Sequence, residues 1–535
     1  MTMRFLGLLL ALAFAMVSTG AKAETNHVRV LSLEDCIKIA LEHNLDVQIT
    51  RMNPELNRLS LSGVYAAYDP TFSVSGSHDY SLSPGGLDSQ GRNFGGTESE
   101  SDNFGAGFSG LTPWGLRYGL SGSVSDRYGT QPSATIDPNN QTVVTNSFVD
   151  INSGNTVSYL STNFGTTPIR FPFENTSGSA GFLELRQPLL KNFWIDSTRL
   201  QIFLRRQDLK TSELGLRSQV MTTVTAVEQA YYDLIFALEN VRVQEKGLEL
   251  AERLVSENRR RVEVGALAPL DEKQAESRAA ASRADLISAQ AAMATQQRVL
   301  KSLLSDNYEE WKDTHVSPTE SLIALPEVFD LQESWRRGLA QRPDLAQAKI
   351  SLESQGTLVR YQKNQLFPEL DLVGRYGYSA SSREFSGAFG QLGNMDNPFY
   401  SYGAQLSVPL GNTGARSSYR SAKATKEQIA LQLKQVEQNV LIGIENAMAT
   451  ARTSLERVAA TRQARLYAED ALKAEEKKLE QGKSTSFIVL QLQSELTAAR
   501  SSEIRSLADY NIALARLALN EGSMFTRRKI DISVK

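Results

Sequence analysis

Side chains that commonly carry catalysis or bind metals are few and scattered in this sequence. The four histidines lack the spacing of metal ligands; they are His27, His43, His78 and His315. The only cysteine, Cys36, can form neither an internal disulfide nor a cysteine-based metal cluster, and we expect a small apolar residue inside a helix. No phosphate-binding loop, nucleophile elbow or H-E-x-x-H pattern occurs. We therefore expect no catalytic residue, no cofactor and no bound metal.

The charges do not indicate a catalytic or nucleic-acid-binding surface either. The net charge of the chain is −3, so the basic surface typical of nucleic-acid binding is missing from the sequence. The acidic pair Glu475 and Glu476 lies among lysines in a helical pattern, where solvated ion pairs are the usual role. The informative residues are therefore the prolines, glycines and apolar residues that define the elements of the fold.

The N-terminus predicts export from the cytoplasm. A basic residue precedes an apolar run at residues 5–17, and Ala21 and Ala23 are the small residues expected before a cleavage site. The run is too short for a membrane-spanning helix, although a short N-terminal anchor is the alternative interpretation. We expect residues 1–23 to be a cleaved signal peptide. Cys36 does not follow that site, so no lipid anchor is expected.

The rest of the chain is an unequal two-fold repeat. A proline recurs wherever a helical pattern meets a strand pattern, at Pro70 and Pro188 in the first half and at Pro368 and Pro409 in the second. These prolines are expected to end helices and to lie at strand ends, with a hinge role as the alternative. The two prolines are 118 positions apart in the first half but only 41 in the second. The halves therefore differ in the connection between their strands.

Period-two alternation predicts four strands, at residues 71–82, 179–188, 369–380 and 399–409. Apolar residues on one face and small or polar residues on the other are typical of a lipid-embedded barrel wall, although a half-buried sheet of a soluble sandwich is the alternative.

Residues 83–178, rich in Gly, Ser, Asn and Thr, are predicted to be an extracellular loop region. Within this segment, residues 103–127 have the pattern of a hairpin. The hairpin could add two strands to the wall or stand in the loop, and the symmetry of the repeat favours the loop.

Long helical patterns predict a coiled-coil hairpin in each half, at residues 195–304 and 412–520. Apolar residues recur at spacings of three and four, which is the coiled-coil pattern. A helix of about 70 residues is about 105 Å long, far longer than a globular domain needs.

A glycine ends each long helical pattern and is predicted to reverse the chain. Gly265 lies 77 positions after Pro188, and Gly482 lies 73 positions after Pro409. Glycine readily takes the positive φ that ends a helix. The residues after the glycines are predicted to form two tips with a docking surface: Leu267, Pro269, Lys483 and Ser484. Pro269, and either Ser484 or Ser486, fit the first turn or cap of the returning helix.

In the order and spacing of these features the chain resembles the TolC-like outer-membrane efflux family. The resemblance extends over essentially the whole chain after residue 23 and rests on the repeat, on the joins Leu-Arg-Gln-Pro188-Leu-Leu and Ser-Val-Pro409-Leu-Gly, and on the Gly265 and Gly482 turns. It implies a mostly α-helical fold with membrane β-structure. In that fold a homotrimer shares a 12-stranded β-barrel, four strands per chain, continued by a long periplasmic α-helical coiled-coil barrel.

The resemblance also implies the domain plan. The first repeat is residues 24–305 and the second is residues 336–535, which ends in a C-terminal tail. Residues 306–335 form a mixed equatorial segment between them, and with the C-terminal tail they form a belt around the helical barrel.

One departure from the family concerns the pore. Some family members carry aspartates six and nine positions after the second tip glycine, where they form an acidic ring. Here those positions are Ile488 and Gln491. The candidate constriction, Ile488, Val489 and Gln491, is therefore expected to be apolar and amide-lined, and an apolar neck can close by dewetting.

The function implied by the resemblance is a passive outer-membrane exit duct of a tripartite efflux or type I secretion system, extending into the periplasm and carrying small molecules or polypeptides. The implied partners are further copies of the chain, outer-membrane lipid, a periplasmic adaptor and an inner-membrane pump of the RND or ABC type. Two alternatives remain from the residues alone: a trimeric envelope spacer or adhesin with a coiled-coil stalk, and a soluble periplasmic adaptor.

Overall fold

The computed structural model describes residues 27–87, 93–265 and 267–530. The predicted signal peptide, residues 1–23, lies outside the described residues. Among the helices that are described, none is both long and apolar enough to cross a membrane.

The chain divides into two compact units, each assembled from separate segments of both repeats. Among the described residues, the helical unit comprises 27–55, Lys210–Lys349 and 432–530. The sheet unit comprises Leu56–Leu209 and Ile350–Leu431.

The first half of the chain begins with a short strand and two helices, continues into strands, and ends in two long helices. In order these are β1 (His27–Leu31), α1 (Leu33–His43), α2 (Leu45–Tyr65), β2 (Thr71–Ser83), β3 (Gly86–Leu87), β4 (Asn93–Phe94), β5 (Thr97–Leu111), β6 (Arg117–Val149), β7 (Thr156–Pro188), α3 (Ser197–Glu263) and α4 (Pro269–Leu304).

The second half repeats this order with fewer strands. After a short mixed segment come two helices, two strands around a helix, and two long helices: α5 (Tyr308–Trp311), β8 (Thr314–Pro318), α6 (Leu331–Gln341), α7 (Pro343–Asn364), β9 (Glu369–Ser382), α8 (Phe385–Asn394), β10 (Pro398–Ser407), α9 (Thr413–Glu480), α10 (Ser486–Glu521) and α11 (Met524–Arg528).

The long helices pack through the predicted coiled-coil stripe. Buried residues of α3 recur at spacings of four and three: Val220, Val224, Val227, Tyr231 and Leu234. This spacing keeps one face of a helix against its neighbours. The predicted hairpins 195–304 and 412–520 therefore correspond to α3 with α4 and to α9 with α10.

The main core of the helical unit forms where α1 packs on the long helices. A capping box fixes the start of α1, because the Ser32 hydroxyl accepts from the Asp35 N–H while the Asp35 carboxylate accepts from the Ser32 N–H. Cys36 is fully buried in this core, as expected for a small apolar residue. Burial raises the pKa of its thiol to about 12, so the thiol stays protonated at neutral pH.

Residues 306–335 contain the helix α5 and the strand β8, in keeping with a mixed segment. β8 pairs in parallel with β1, from His27 opposite Thr314 to Leu31 opposite Pro318. Val316 of β8 and Met524 of α11 enter the same core as α1, so the mixed segment, the described N-terminal residues and the C-terminal helix share one apolar cluster.

The sheet unit contains one antiparallel sheet of six strands in the order β10-β9-β7-β6-β5-β2. β6 and β7 have 33 residues each and form a hairpin that is longer than its neighbours. Only the part of β6 up to Thr130 lies beside β5, and only the part of β7 from Thr176 onward lies beside β9. Beyond these residues the hairpin continues as a two-stranded ribbon.

The prediction of a loop region at residues 83–178 is wrong for most of that segment. β5, β6 and the first part of β7 occupy it, and the hairpin pattern at residues 103–127 forms two strands of the main sheet. The main sheet of the chain therefore contains six strands, two more than the four predicted. Repeat symmetry misled the assignment, because the first half carries a hairpin that the second half lacks.

Candidate functional site

The two helical hairpins of the helical unit reverse at the predicted glycines. Gly265 has a φ of +75° and Gly482 a φ of +71°, a region that residues with a Cβ rarely adopt. After α9 the reversal is a full Schellman motif: the Lys483 N–H donates to the Lys478 carbonyl at 2.8 Å and the Gly482 N–H to the Leu479 carbonyl at 3.0 Å. The Gly265 N–H makes the equivalent bond to the Val262 carbonyl at 2.9 Å.

The returning helices begin four residues after each glycine. Pro269 starts α4, as predicted, and its fixed φ suits a first helical position. Ser484 does not cap α10, because the cap residue is Thr485 and makes no side-chain hydrogen bond there. The Ser484 hydroxyl instead donates to the Glu475 carboxylate. Hydrogen bonds from Lys478 and from Ser484 lower the pKa of Glu475 below its ordinary value.

A buried amide connects the two hairpins just above the tips. Asn258 of α3 is 1% exposed, and its amide nitrogen donates to the Asp271 carbonyl oxygen of α4 at 3.3 Å. Its amide oxygen accepts from the Ser486 hydroxyl of α10 at 3.1 Å. Ser486, predicted as a first-turn or cap residue, is thus the first residue of its helix, but it bonds across to the other hairpin. Three helices meet at one side chain.

The prediction that Val489 lines a pore constriction is wrong. Its side chain is 1% exposed and packs in an apolar cluster with residues of α3, α4 and α9, which include Leu254, Ala275 and Leu479. The helical phase explains this placement, because Val489, Leu490 and Gln493 turn toward the neighbouring helices. A side chain buried between the four helices cannot contact a solute that moves along the outer surface of the bundle.

Ile488 and Gln491 lie on the exposed face of α10, as a lining role requires. Ile488 is 41% exposed, and Gln491 donates to the carboxylate of Glu495, also exposed, at 2.9 Å. The face is therefore less neutral than predicted, because a carboxylate lies one turn beyond the amide. Sequence comparison with family aspartates could not reveal Glu495, since it stands four positions further along the helix.

A groove of about 730 Å³ lies between the first turns of α4 and α10. Leu270 and Phe487 line it, and both are largely exposed. Arg278 of α4 donates to the Ser494 hydroxyl of α10 at 2.6 Å and joins the two helices beneath the groove. An exposed leucine and phenylalanine in a groove with a polar surround are a common feature of protein interaction sites.

The groove is lined by residues of α4 and α10 that follow the predicted tip residues in the chain. Pro269 and Lys483 are exposed, and Leu267 and Ser484 are half-buried. The sequence reasoning missed Leu270 and Phe487, although a signal existed. Each of the two stands five positions after its tip glycine, so the repeat itself places an apolar side chain at the same point of both hairpins.

Charged residues surround the tip of the first hairpin in balanced pairs. Arg259 of α3 contacts Glu272 at 3.0 Å and Glu276 at 3.4 Å, and Lys273 contacts Glu276 at 2.7 Å. The hydrogen bond from Lys273 is the main reason that the pKa of Glu276 lies below its ordinary value. Such solvent-exposed ion pairs add little stability, but they surround the tip with charged side chains of both signs.

The four join prolines lie where they were predicted, at the ends of strands in the sheet unit. Pro70 and Pro368 immediately precede β2 and β9, Pro188 is the last residue of β7, and Pro409 follows β10 by two residues. The predicted strand 399–409 therefore ends earlier, at Ser407.

The joins that follow β7 and β10 resemble each other in detail. Asn192 and Asn412 both adopt positive φ, 65° and 44°. The Asn192 N–H donates to the side-chain oxygen of Asn364, at the end of α7, at 2.7 Å, and the Asn412 amide donates to the Leu366 carbonyl at 3.1 Å. Asparagine tolerates this conformation better than most residues, which accounts for its presence in both repeats.

Near the helix joins, one face of the main sheet is apolar and the other is mainly small or polar, although Phe182 and Phe399 contact each other on that second face. One register row of the apolar face crosses all six strands, and each of its residues is at least 36% exposed: Phe72, Phe108, Leu120, Leu183, Tyr376 and Tyr400. The adjacent row, on the opposite face, is small or polar throughout: Thr71, Ser109, Gly119, Glu184, Arg375 and Ser401. An exposed apolar face opposite a polar face is the pattern of a membrane barrel wall.

The charges of the sheet base lie on the polar face. Arg186 of β7 contacts Glu369 at 3.1 Å and also pairs with Asp371 of β9, while Arg375 contacts Glu184 at 2.9 Å. Asp371 is 3% exposed, and its carboxylate accepts a hydrogen bond from the Arg186 guanidinium. A buried carboxylate needs such a partner. Charges that avoid the apolar face in this way would not contact lipid.

Curated relatives are similar to much of the chain. It is 24% identical over 353 residues to the outer membrane efflux protein BepC of Brucella suis biovar 1, an alignment that covers 64% of this chain and 71% of BepC. It is 23% identical to the outer membrane protein TolC of Vibrio cholerae, over 68% of this chain and 80% of that protein. The pyoverdine export outer membrane protein OpmQ of Pseudomonas putida is 27% identical, but the match covers 42% of this chain and 45% of OpmQ.

Solved structures share the fold. The outer-membrane channel OprN superposes with a TM-score of 0.63 at 16% identity, covering 92% of this chain and 89% of that one. The outer membrane protein VceC of Vibrio cholerae superposes with a TM-score of 0.62 at 16% identity, covering 92% of this chain and 96% of that one. The predicted fold class, a membrane β-barrel continued by a long α-helical barrel with an internal repeat, is therefore confirmed.

The family model described as outer membrane efflux protein matches residues 162–305 and 336–522, which is more than half of the chain. Both matched segments contain one long helical hairpin with a tip glycine, and together they reproduce the repeat. The chain belongs to the outer membrane efflux protein family, whose members are channels rather than enzymes.

Proposed function

We propose that the chain is one subunit of a homotrimeric exit duct in the outer membrane, through which small molecules or polypeptides pass passively from the periplasm to the exterior. The single observation that carries this proposal is the two-faced sheet, with its exposed apolar row and its polar row of charges and hydroxyls. In a soluble sandwich a second layer would cover the apolar face. A spacer or adhesin does not conduct solutes and therefore does not require a charged inner face.

The tips are the proposed docking surface for a periplasmic adaptor, which links the duct to an inner-membrane pump of the RND or ABC type. The exposed Leu270 and Phe487, one from each hairpin, support this role, together with the groove between them and its charged rim. The turn residues Gly265, Leu267, Pro269, Gly482, Lys483 and Ser484 complete that surface.

The proposed constriction is the exposed face of α10 that carries Ile488 and Gln491, with Glu495 one turn beyond. An apolar side chain ahead of an amide and a carboxylate would oppose wetting at the narrow point while leaving a weak cation preference behind it. The substitution Ile488→Asp would place a carboxylate at that point. Unchanged single-channel conductance and cation block in this variant would contradict the assignment.

Conductance of the purified protein in a planar bilayer tests the channel itself. We expect discrete steps from detergent-purified protein, and matched protein denatured before insertion serves as the control. A spacer or adhesin would give no steps, and a soluble adaptor would be released from cells without detergent. Deletion of the gene, followed by a panel of toxic compounds and a survey of secreted protein, would then identify the cargo.

Site-specific photo-crosslinking in cells tests the docking surface. A photoreactive residue at Leu270 or Phe487 should give a product that contains an exported helical-hairpin protein. Tyr467 of α9 is equally exposed and provides the matched control away from the tips. Equal crosslinking of the same partner from Tyr467 would remove the tips as the docking surface while leaving the duct function intact.

A further inference from the structure

The hairpin of β5 and β6 spans the same height of the sheet as the strands on either side of it. Its turn, closed by bonds from Thr112 N–H to the Leu116 carbonyl at 2.8 Å and from Gly115 N–H to the Thr112 carbonyl at 2.9 Å, lies beside the helix joins. Leu111 and Arg117, which flank the turn, are in register with Arg186, two residues before Pro188. The turn is thus at the helix end of the sheet, where a hairpin standing in an outer loop could not place it.

The hairpin also keeps the two faces of the sheet in phase. Phe108 and Leu120 are 41% and 47% exposed, close to the values of Leu183 and Tyr376 in the strands beyond them, at 36% and 44%. A slip of one residue would exchange the two faces. The pairings of β2 with β5 and of β5 with β6 contain no register shift, and β6 pairs with β7 without one from Arg117 to Ser121, before a shift between Ser121 and Ser123. Up to Ser121, β5 and β6 therefore continue both the apolar and the polar face.

The two end strands of the sheet have open edges. β2 pairs with β5 alone and β10 with β9 alone among the described strands, and every residue of β2 is exposed. The outermost members of the apolar row, Phe72 and Tyr400, are 71% and 74% exposed, well above the four members between them. Unpaired backbone groups are too costly to face lipid, so these edges require a partner strand.

A second copy of the chain fits these edges. The six strands alternate in direction, so β10 runs opposite to β2 and can pair antiparallel with β2 of the next copy, as every neighbouring pair in the sheet does. Such head-to-tail contacts close into a ring when the rotation allows. The apolar and polar faces of one copy would then continue into those of the next, with the offset in register that closing a barrel requires.

We propose that β5 and β6 are strands of the membrane wall, and that three copies close a barrel of 18 strands, three times six, through the pairing of β2 with β10 of the neighbouring copy. This proposal rests on the proposed function, which supplies the trimer and the membrane. Barrel diameter grows roughly linearly with strand number, so this wall would be about 1.5 times as wide as one of 12 strands. The added hairpin widens the exit without any change in the helices.

Fluorescent labelling of single cysteines tests the position of the hairpin. In a Cys36→Ala background, Leu120→Cys places a thiol on the apolar face of β6 and Ser121→Cys places one on its polar face. Val74→Cys and Ser75→Cys are the matched pair on β2. Labelled trimers are reconstituted into liposomes that contain brominated lipid, which quenches dyes only within the bilayer.

We expect the label at position 120 to be quenched as strongly as that at position 74, and the labels at positions 121 and 75 to be quenched several-fold less. Quenching at position 74 with none at position 120 would put the hairpin outside the membrane and overturn the proposal while leaving the duct. Absence of quenching at both positions would overturn the membrane function itself.

Electron microscopy of the unsubstituted trimer in lipid nanodiscs gives a second measurement that does not depend on the folding of variants. A wall of 18 strands supports the proposal. A wall of 12 strands, with β5 and β6 outside it, overturns the proposal.

Discussion

The two halves of the chain agree in their helices and disagree in their strands. α3 and α9 have 67 and 68 residues, and α4 and α10 have 36 each. Yet the first half contributes four strands to the main sheet and the second half only two. The difference follows from the physics of each region. Two helical hairpins that pack side by side must have the same length if their tips are to lie at the same level. An antiparallel sheet can accept an added hairpin, because after its two strands the chain again runs in its original direction.

The largest effect is expected when the equality of the helices is broken. Deletion of residues 248–254 from α3 with 281–287 from α4 removes one heptad from each arm and moves the first tip by about 10 Å relative to the second. We expect export in cells to fall to the level of the gene deletion, because the tips no longer form one surface.

The control for this deletion is a compensating one. Removal of residues 466–472 from α9 and 496–502 from α10 in the same chain should restore part of the export, because both hairpins are again equally long. Failure of the double deletion, with normal amounts of trimer in the membrane, would show that equal length is not the requirement.

The position seven residues before each tip glycine sharpens the comparison. It is Asn258 in the first repeat and Glu475 in the second, and each accepts a hydrogen bond from a serine of the turn or of α10. Asn258 is 1% exposed and the Glu475 side chain is 12% exposed. Asn258 bonds to both hairpins, whereas the hydrogen bonds of Glu475 from Lys478 and Ser484 stay within one hairpin, which predicts unequal effects. Asn258→Ala leaves the Ser486 hydroxyl without its partner and should cost about 1–3 kcal/mol.

Hydrogen exchange of tip amides measures this difference. We expect exchange in the tips of Asn258→Ala to rise about tenfold or more, since local opening becomes easier. Glu475→Ala should change exchange less. An equal or greater effect of Glu475→Ala would mean that the buried amide is not the main link between the hairpins.

The tip glycines should be equivalent, because they have the same conformation and the same free space. Gly265→Ala and Gly482→Ala should each destabilise the local turn by about 1–2 kcal/mol, because no atom lies within 4 Å of the added Cβ and only the positive φ is unfavourable. Limited proteolysis of the tips provides the measurement. Gly63→Ala, in the helix α2 and equally uncrowded, is the control and should leave the tips unchanged.

The smallest effect concerns pH. The pKa of Glu475 is lowered by the bonds from Lys478 and from Ser484, so the stabilising contact is complete above the ordinary glutamate pKa and is lost as the pH falls through the lowered value. Ser484→Ala should raise the pKa of Glu475 toward its ordinary value. The acid midpoint of tip proteolysis should therefore move up by a fraction of a pH unit, and an unchanged midpoint would exclude the contribution of Ser484.

The sequence was sufficient for the features that depend on local chemistry. The tips follow from glycines that must take positive φ, and the joins follow from prolines that cannot continue a helix or a central strand. The strand count was not accessible in this way, because alternation at residues 103–127 is the same for a wall strand and for an outer hairpin. Only the pairing of Phe72 with Phe108 and of Phe108 with Leu120 shows that these residues belong to the main sheet.

Val489 illustrates a second limit. Its burial depends on which side of α10 meets three other helices, and that phase is a property of tertiary packing. Asn258 was likewise invisible, because a lone asparagine in a charged helix resembles a solvated residue until its partners from α4 and α10 are known.

The open edges of β2 and β10 have a consequence for how the protein assembles in the cell. Among the described strands, a single chain has two whose outer hydrogen-bonding groups have no partner within the sheet. In the proposed trimer a neighbouring copy completes these edges, so insertion would be coupled to assembly and an isolated chain would need protection from aggregation until then. The stability of the finished wall therefore depends on the concentration of its subunits as much as on their sequence.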